Sequence, residues 1–187
     1  MSTGTVPASE LLTAEQFAQL PDSGYPEELV RGKVVRTTEP NRRHGQICAR
    51  VVNLLGRYLT DHDLGHVLSN DAGVITRRSP DTMRGPDVSF HSYGRLPKGP
   101  LPRTVGPEVP ELVIEVRSPS DRWSNLLAKV AEYLEVGVLA VVVLDEESET
   151  ALLQLADAMP RRLGADDELA LPEILPGFAE ALRVFFE

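Results

Sequence analysis

A chain of 187 residues, 42% hydrophobic and 25% charged, has the size and composition of one water-soluble domain with its own core. Its formal charge of -9 argues against a protein that coats nucleic acid with its whole surface, and a lone cysteine, Cys48, excludes an internal disulfide or a multi-cysteine zinc site. The longest apolar stretch, Val136 to Leu144, is too short to cross a bilayer, and Met1 to Ser9 lacks the basic start and apolar run of a secretory leader, so no membrane partner and a cytoplasmic location are expected.

In chain order, Thr13-Ala14-Glu15-Gln16 reads as a capping box opening a short helix that ends near Pro21. Glu28-Leu29-Val30 and Lys33-Val34-Val35 predict a hairpin turning at Arg31-Gly32. From about Gly45 to Thr60, Ile47, Val51, Leu54, Leu55 and Tyr58 recur at helical spacing, with Arg50, Asn53 and Arg57 on the opposite side. Cys48 falls in this helix and reads as a small buried hydrophobe. Short strands follow at His66-Leu68 and Gly73-Thr76, then a turn-rich segment Ser79-Pro86 and a strand Asp87-His91. Residues Ser92 to Pro110 carry five prolines and predict a flap beside the acidic residues discussed below.

A strand Leu112-Val116, a turn Ser118-Asp121, a helix from about Arg122 to Val136 stopped by Gly137, and an apolar strand Val138-Leu144 follow. Strand-helix-strand order implies a parallel pair joined by a crossover, and Val138-Leu144 has the composition of a strand buried on both faces. A hairpin partner Ala151-Leu155 and a closing helix Phe178-Phe186 complete the list. The class is therefore α/β (α+β), a mixed β-sheet flanked by helices, in one domain over 1–187 with residues 1–12 expected as a flexible N-terminus.

Charge is unevenly spread. Arg31 to Arg57 holds seven basic residues against one acid, a local +6, whereas Leu144 to Glu187 holds eleven acids against three arginines, a local -8. One globule can carry both and still present a phosphate-facing side, although an ordinary solvated surface fits equally well.

The residues that carry chemistry are Asp87 at a strand start, Glu115 inside the run Leu112-Val113-Ile114-Glu115-Val116, and Lys129 on the next helix. Alternation puts Leu112, Ile114 and Val116 on one face and Val113, Glu115 and Arg117 on the other. Taken singly, Glu115 fits a partly exposed residue paired with Arg117, Asp87 a post-proline turn, and Lys129 a solvated helix lysine. Together, carboxylates on neighbouring strands suit a hard divalent cation and a nearby ammonium suits a phosphoryl group, which points to metal-dependent phosphodiester cleavage.

The whole chain resembles the Uma-type putative restriction endonuclease family, a branch of the PD-(D/E)XK nuclease superfamily. The segments that carry the resemblance are Glu28 to Gly32, His44-Gly45, Gly85-Pro86-Asp87-Val88, Pro110 to Ser120, Lys129 to Tyr133 and Leu175 to Phe178. The resemblance implies a restriction-endonuclease-like core and a metal site formed by Asp87, Glu115 and the carbonyl of Val116, holding Mg2+ with Mn2+ as its substitute. In much of the superfamily a lysine stands two residues after the glutamate. Here that position is Arg117, whose guanidinium stays protonated and cannot act as a base; the resemblance to this branch, with its lysine on the following helix, implies Lys129 for that role. Glu28 matches the additional N-terminal acid of the family, which would hold a metal-bound water, and Tyr133 stands one helical turn beyond Lys129, where a lysine-positioning role and a half-buried packing role fit equally well. Arg31, Lys33, Arg42, Arg43 and His44 are the expected contacts to substrate, with nucleic acid, DNA in the first instance, as the partner and a homodimer as the assembly that could cut both strands. The alternative is a catalytically inactive nuclease-fold module that binds nucleic acid or protein; Asn125, where relatives often carry an acid one turn before the lysine, favours it.

Overall fold

The computed structural model describes residues 11–187. Most of the expected flexible N-terminus, 1–10, lies outside the described residues. Leu11 and Leu12 lie against the first hairpin, where the Leu12 amide donates to the Gly32 carbonyl at 2.8 Å. The capping box forms as expected: Thr13 Oγ1 accepts from the Gln16 amide, and Gln16 Oε1 accepts from the Thr13 amide at 2.8 Å, opening α1 (Ala14–Phe17).

β1 (Glu27–Val30) and β2 (Lys33–Arg36) pair antiparallel across Arg31 and Gly32, with φ of 50° and 76°. Both turn residues are left-handed, and a Cβ on Gly32 would sit 2.7 Å from that of Leu11, so glycine is required there. β4 (Val74–Arg77) and β5 (Thr82–Arg84) complete a four-stranded sheet in the order β2-β1-β5-β4. The strand β5 falls inside the segment expected to be turn; three residues are too few to show an alternation, and pairing with β1 and β4 decides their conformation.

The larger, six-stranded sheet runs β10 (Arg161–Leu163), β9 (Thr150–Leu155), β8 (Ala140–Asp145), β7 (Leu112–Arg117), β6 (Val88–Ser92), β3 (Gly65–Ser69). β7 and β8 are parallel, joined through α3 (Trp123–Val136), and their other neighbours pair antiparallel, which makes the sheet mixed. All six residues of β8 are buried, and each buried aliphatic side chain there contributes roughly 1.5–3 kcal/mol.

The two faces of this sheet bury different helices. Leu112, Ile114 and Val116 join Ile47, Val51, Leu54 and Leu55 of α2 (Arg42–Asp61) in the main core, whereas Val113, Val141 and Val143 pack on Leu126, Val130 and Tyr133 of α3. Helix α2 begins three residues before the expected start because Asn41 caps it, its Oδ1 accepting from the His44 amide at 3.0 Å. Gly137, at φ 107°, ends α3 as expected.

The C-terminal segment corrects the expected helix Phe178–Phe186. Ala179–Ala181 is a strand, β12, paired with β11 (Glu168–Ala170), and only Leu182–Phe185 turns as a short 3-10 helix. Pairing to β11 captures residues too few to hold a helix alone, while Leu182, Phe185 and Phe186 fill the main core.

Candidate active site

Antiparallel pairing of β6 with β7 places Val88 opposite Ile114, so the residues just beyond, Asp87 and Glu115, stand at one end of the two strands. Asp87 is fixed there: its Oδ2 accepts the Val116 amide at 2.7 Å. Gly85 makes the approach to Asp87 possible, because a Cβ on it would lie 2.8 Å from that of Asp71 on the neighbouring loop. The loop 92–110 connects the opposite ends of the same strands, so it is not the flap beside the carboxylates that its prolines suggested. Arg95 staples it there by donating to the carbonyls of Val109, Pro110 and Gly137 at 3.0–3.1 Å, and its residues line a separate cavity of 300 Å³.

Glu115 faces α3 because it shares the face of Val113. The Tyr133 hydroxyl donates to its Oε1 at 2.8 Å, and Lys129 Nζ lies 3.6 Å from its Oε2. The spacing of Lys129 and Tyr133, one helical turn, lets both reach the same carboxylate. Burial raises the Glu115 pKa to about 7, with Asp87 adding to the effect and Lys129 opposing it. Its expected pairing with Arg117 does not form; Arg117 points to Asp145 at 2.9 Å and stacks over Trp123.

Lys129 Nζ is bonded at 2.8 Å to Glu28 Oε1 on β1, and these acids hold its pKa above the usual lysine value despite burial. Burial pushes Glu28 up, but Lys129 and Arg84 together keep it below the ordinary carboxylate range. Arg84 was not singled out from the sequence. It donates to Glu28 Oε2 at 2.8 Å and grips Glu132 on α3 with two bonds of 2.7 and 2.9 Å, tying β1, β5 and α3 into one charged network.

On the other side of Asp87 stands His44, its Nε2 3.3 Å from Asp87 Oδ1 and its Nδ1 3.5 Å from Cys48 Sγ. Burial alone would lower the His44 pKa, but Asp87 and Cys48 raise it to about 11. Cys48 is half-buried, and burial pushes its thiol up. Beyond packing on the core, it presents its sulfur to His44, a placement that reading it as a small hydrophobe did not contain.

A cleft of 720 Å³ gathers Glu28, His44, Asp87, Glu115, Val116 and Lys129 on its wall. Asp71, also unforeseen, lines it, and burial followed by the charge of Asp87 raises its carboxyl. Of the expected substrate contacts, only His44 lies on the cleft; Arg31, Lys33, Arg42 and Arg43 do not. Arg31 and Lys33 sit at the tip of the first hairpin, whose far end lines the cleft through Thr37 and Thr38, Arg42 is exposed, and Arg43 is bound to Glu149 at 2.9 Å. The acidic C-terminal third thus meets the basic stretch within the molecule. Arg122 and Asn125 of the loop and helix after β7 line the cleft instead.

Comparison with solved structures gives the class of fold. A crystal structure described as a putative nuclease belonging to DUF820, from Anabaena variabilis, matches with a TM-score of 0.78 at 16% identity, covering 94% of this chain and 97% of that one. The mixed sheet flanked by helices is therefore a fold already found under a nuclease description. The family model Uma2, described as putative restriction endonuclease, matches residues 14–184, and the chain belongs to that family. No curated protein matches. Among the described residues no helix is long and apolar enough to cross a membrane.

Proposed function

We propose that the protein is a Mg2+-dependent endonuclease that hydrolyses nucleic-acid phosphodiester bonds, with DNA as the first substrate class to test. The observation that carries this reading is the buried carboxylate of Glu115 on the wall of one cleft with Asp87 and Lys129. Burial outweighs the charge of Lys129 at this carboxylate, so a further cation beside it would be favourable. The two carboxylates on the wall are hard oxygen ligands of the kind Mg2+ or Mn2+ takes, and the family resemblance adds the carbonyl of Val116, which also lines the cleft, so the residues fit the ion.

Asp87, Glu115 and Val116 would hold the metal, which when bound supplies Lewis-acid polarisation of the phosphate and activation of water. The remaining work belongs to the side chains. Lys129, anchored by Glu28, presents its ammonium beside Glu115, where it neutralises charge growing on phosphoryl oxygens. Tyr133 fixes the orientation of Glu115, and the Val116 amide fixes that of Asp87. Glu28 holds Lys129, and Arg84 holds Glu28, so the acid expected to stand near the metal serves here as the seat of the lysine.

Purified protein incubated with plasmid and single-stranded DNA in Mg2+, Mn2+ or EDTA tests this. Cleavage that needs the cation and disappears in Asp87→Ala, prepared in parallel and folded by circular dichroism, is the expected result. Cleavage that survives in Asp87→Ala would remove the metal assignment, and DNA binding without turnover in either ion would make the fold a binding module.

A further inference from the structure

We infer that His44, Cys48 and Asp87 form a second metal position on the cleft wall, suited to a borderline-soft divalent ion of the zinc or cobalt(II) class. One ligand atom from each of the three lies within 4.8 Å of the other two. The edge of a tetrahedral zinc site is roughly 3.3–3.6 Å, given Zn–N of about 2.0–2.1 Å and Zn–S of about 2.3 Å. The contacts already present, 3.5 Å from sulfur to Nδ1 and 3.3 Å from Nε2 to the carboxylate, are of that size, although they use opposite nitrogens of the ring. Side-chain rotations that bring one nitrogen to both partners complete the set.

The ligands are held by rigid backbone. His44 and Cys48 are four apart on α2 and face the same way, and the first turn of that helix is fixed by the Asn41 cap at the His44 amide. Asp87 comes from the start of β6, locked by the Val116 amide. All three line the cleft, so the fourth position of a tetrahedral ion opens onto it, the arrangement of zinc sites that accept water or another ligand.

Chemistry separates this position from the one formed with Glu115. A thiolate and an imidazole select zinc-class ions, whereas Mg2+ demands oxygen donors in octahedral order. Asp87 is common to both, so an ion held by His44 and Cys48 withdraws that carboxylate from Glu115. The assignment rests on ligand geometry and stands whether or not the cleft cleaves nucleic acid.

Cobalt(II) titration of the full chain tests it directly, because Cys48 is the sole cysteine and any thiolate-to-cobalt charge-transfer band must come from it. The expected result is that band in the near ultraviolet at one cobalt per chain, bleached by stoichiometric Zn2+, lost in Cys48→Ser and retained in Glu115→Gln. Zn2+ should also slow modification of Cys48 by a thiol reagent in the wild-type protein, a readout that needs no variant. Absence of the band, saturation at half a cobalt per chain as for an ion bridging two molecules, or unprotected Cys48 in Zn2+ would overturn the inference. None of these readouts requires turnover, so failure here and failure of the nuclease reading are distinguishable.

Discussion

Glu115 is an almost fully buried carboxylate at the wall of the cleft, with a phenol, an ammonium and another acid as its surroundings. Its position on β7 was legible because strand alternation separates Val113, Glu115 and Arg117 from the core-facing residues, and the two hydrophobic clusters divide along that line. Its partner was not: pairing with Arg117 follows from chain proximity, but Arg117 is held by Asp145 on the parallel neighbour β8. Tyr133 reaches Glu115 without lining the cleft, so it acts as a positioning residue. Tyr133→Phe removes a donor to a buried charged acceptor, worth about 1.5–3 kcal/mol, and should lower stability in urea titration at pH 8 by that order. Its cleavage rate should fall while KM for DNA stays unchanged; an unaltered rate would contradict the positioning role.

Among elements, the site is a meeting of two sheets and two helices. Sequence pattern found α2, α3 and β7 by their periods and β8 by its unbroken apolar run, and it missed β5, β10, β11 and β12, each three residues long. Arg84 was invisible for the same reason: nothing in Thr82-Met83-Arg84 announces a strand, still less one that faces Glu28 and Glu132. The small sheet is tied to α1 through Asp81, a buried carboxylate that accepts the amides of Ala14 at 2.9 Å and Ser79 at 3.1 Å and pairs with Arg78. Burial would raise its pKa, yet those donors hold it below the usual 3.8. The unfolded chain therefore binds the proton more tightly than the folded one. The stability Asp81 contributes is complete above that usual value and is lost as pH falls through the folded one. Asp81→Ala should lower stability at pH 7 by about 1–3 kcal/mol, and its denaturation midpoint should fall less steeply than wild type between pH 5 and pH 3, both read by thermal melts.

Across the whole molecule, folding cancels part of the charge segregation along the chain. Arg43 is neutralised by Glu149, Arg50 donates to the Glu187 carbonyl, and the cleft itself offers Lys129, Arg122 and His44 as its cationic groups. The seven basic residues between Arg31 and Arg57 suggested a phosphate grip because sequence order cannot show that the C-terminal third folds back upon α2. With roughly three phosphates neutralised, log K for DNA should fall with log salt at a slope of about -3, since each contact contributes about -0.9. A slope near -6, restored toward -3 by replacing Arg31, Lys33 and Arg42, would return the grip to the first hairpin and the start of α2.

The proposed chemistry requires Asp87 and Glu115 to act on one cation, and Mn2+ binding followed by electron paramagnetic resonance measures this without any substrate. Wild-type protein should bind a Mn2+ ion that Mg2+ displaces, and Asp87→Ala and Glu115→Gln should each lose that ion while remaining folded. Mn2+ affinity unchanged in either variant would contradict a metal centre built from both carboxylates.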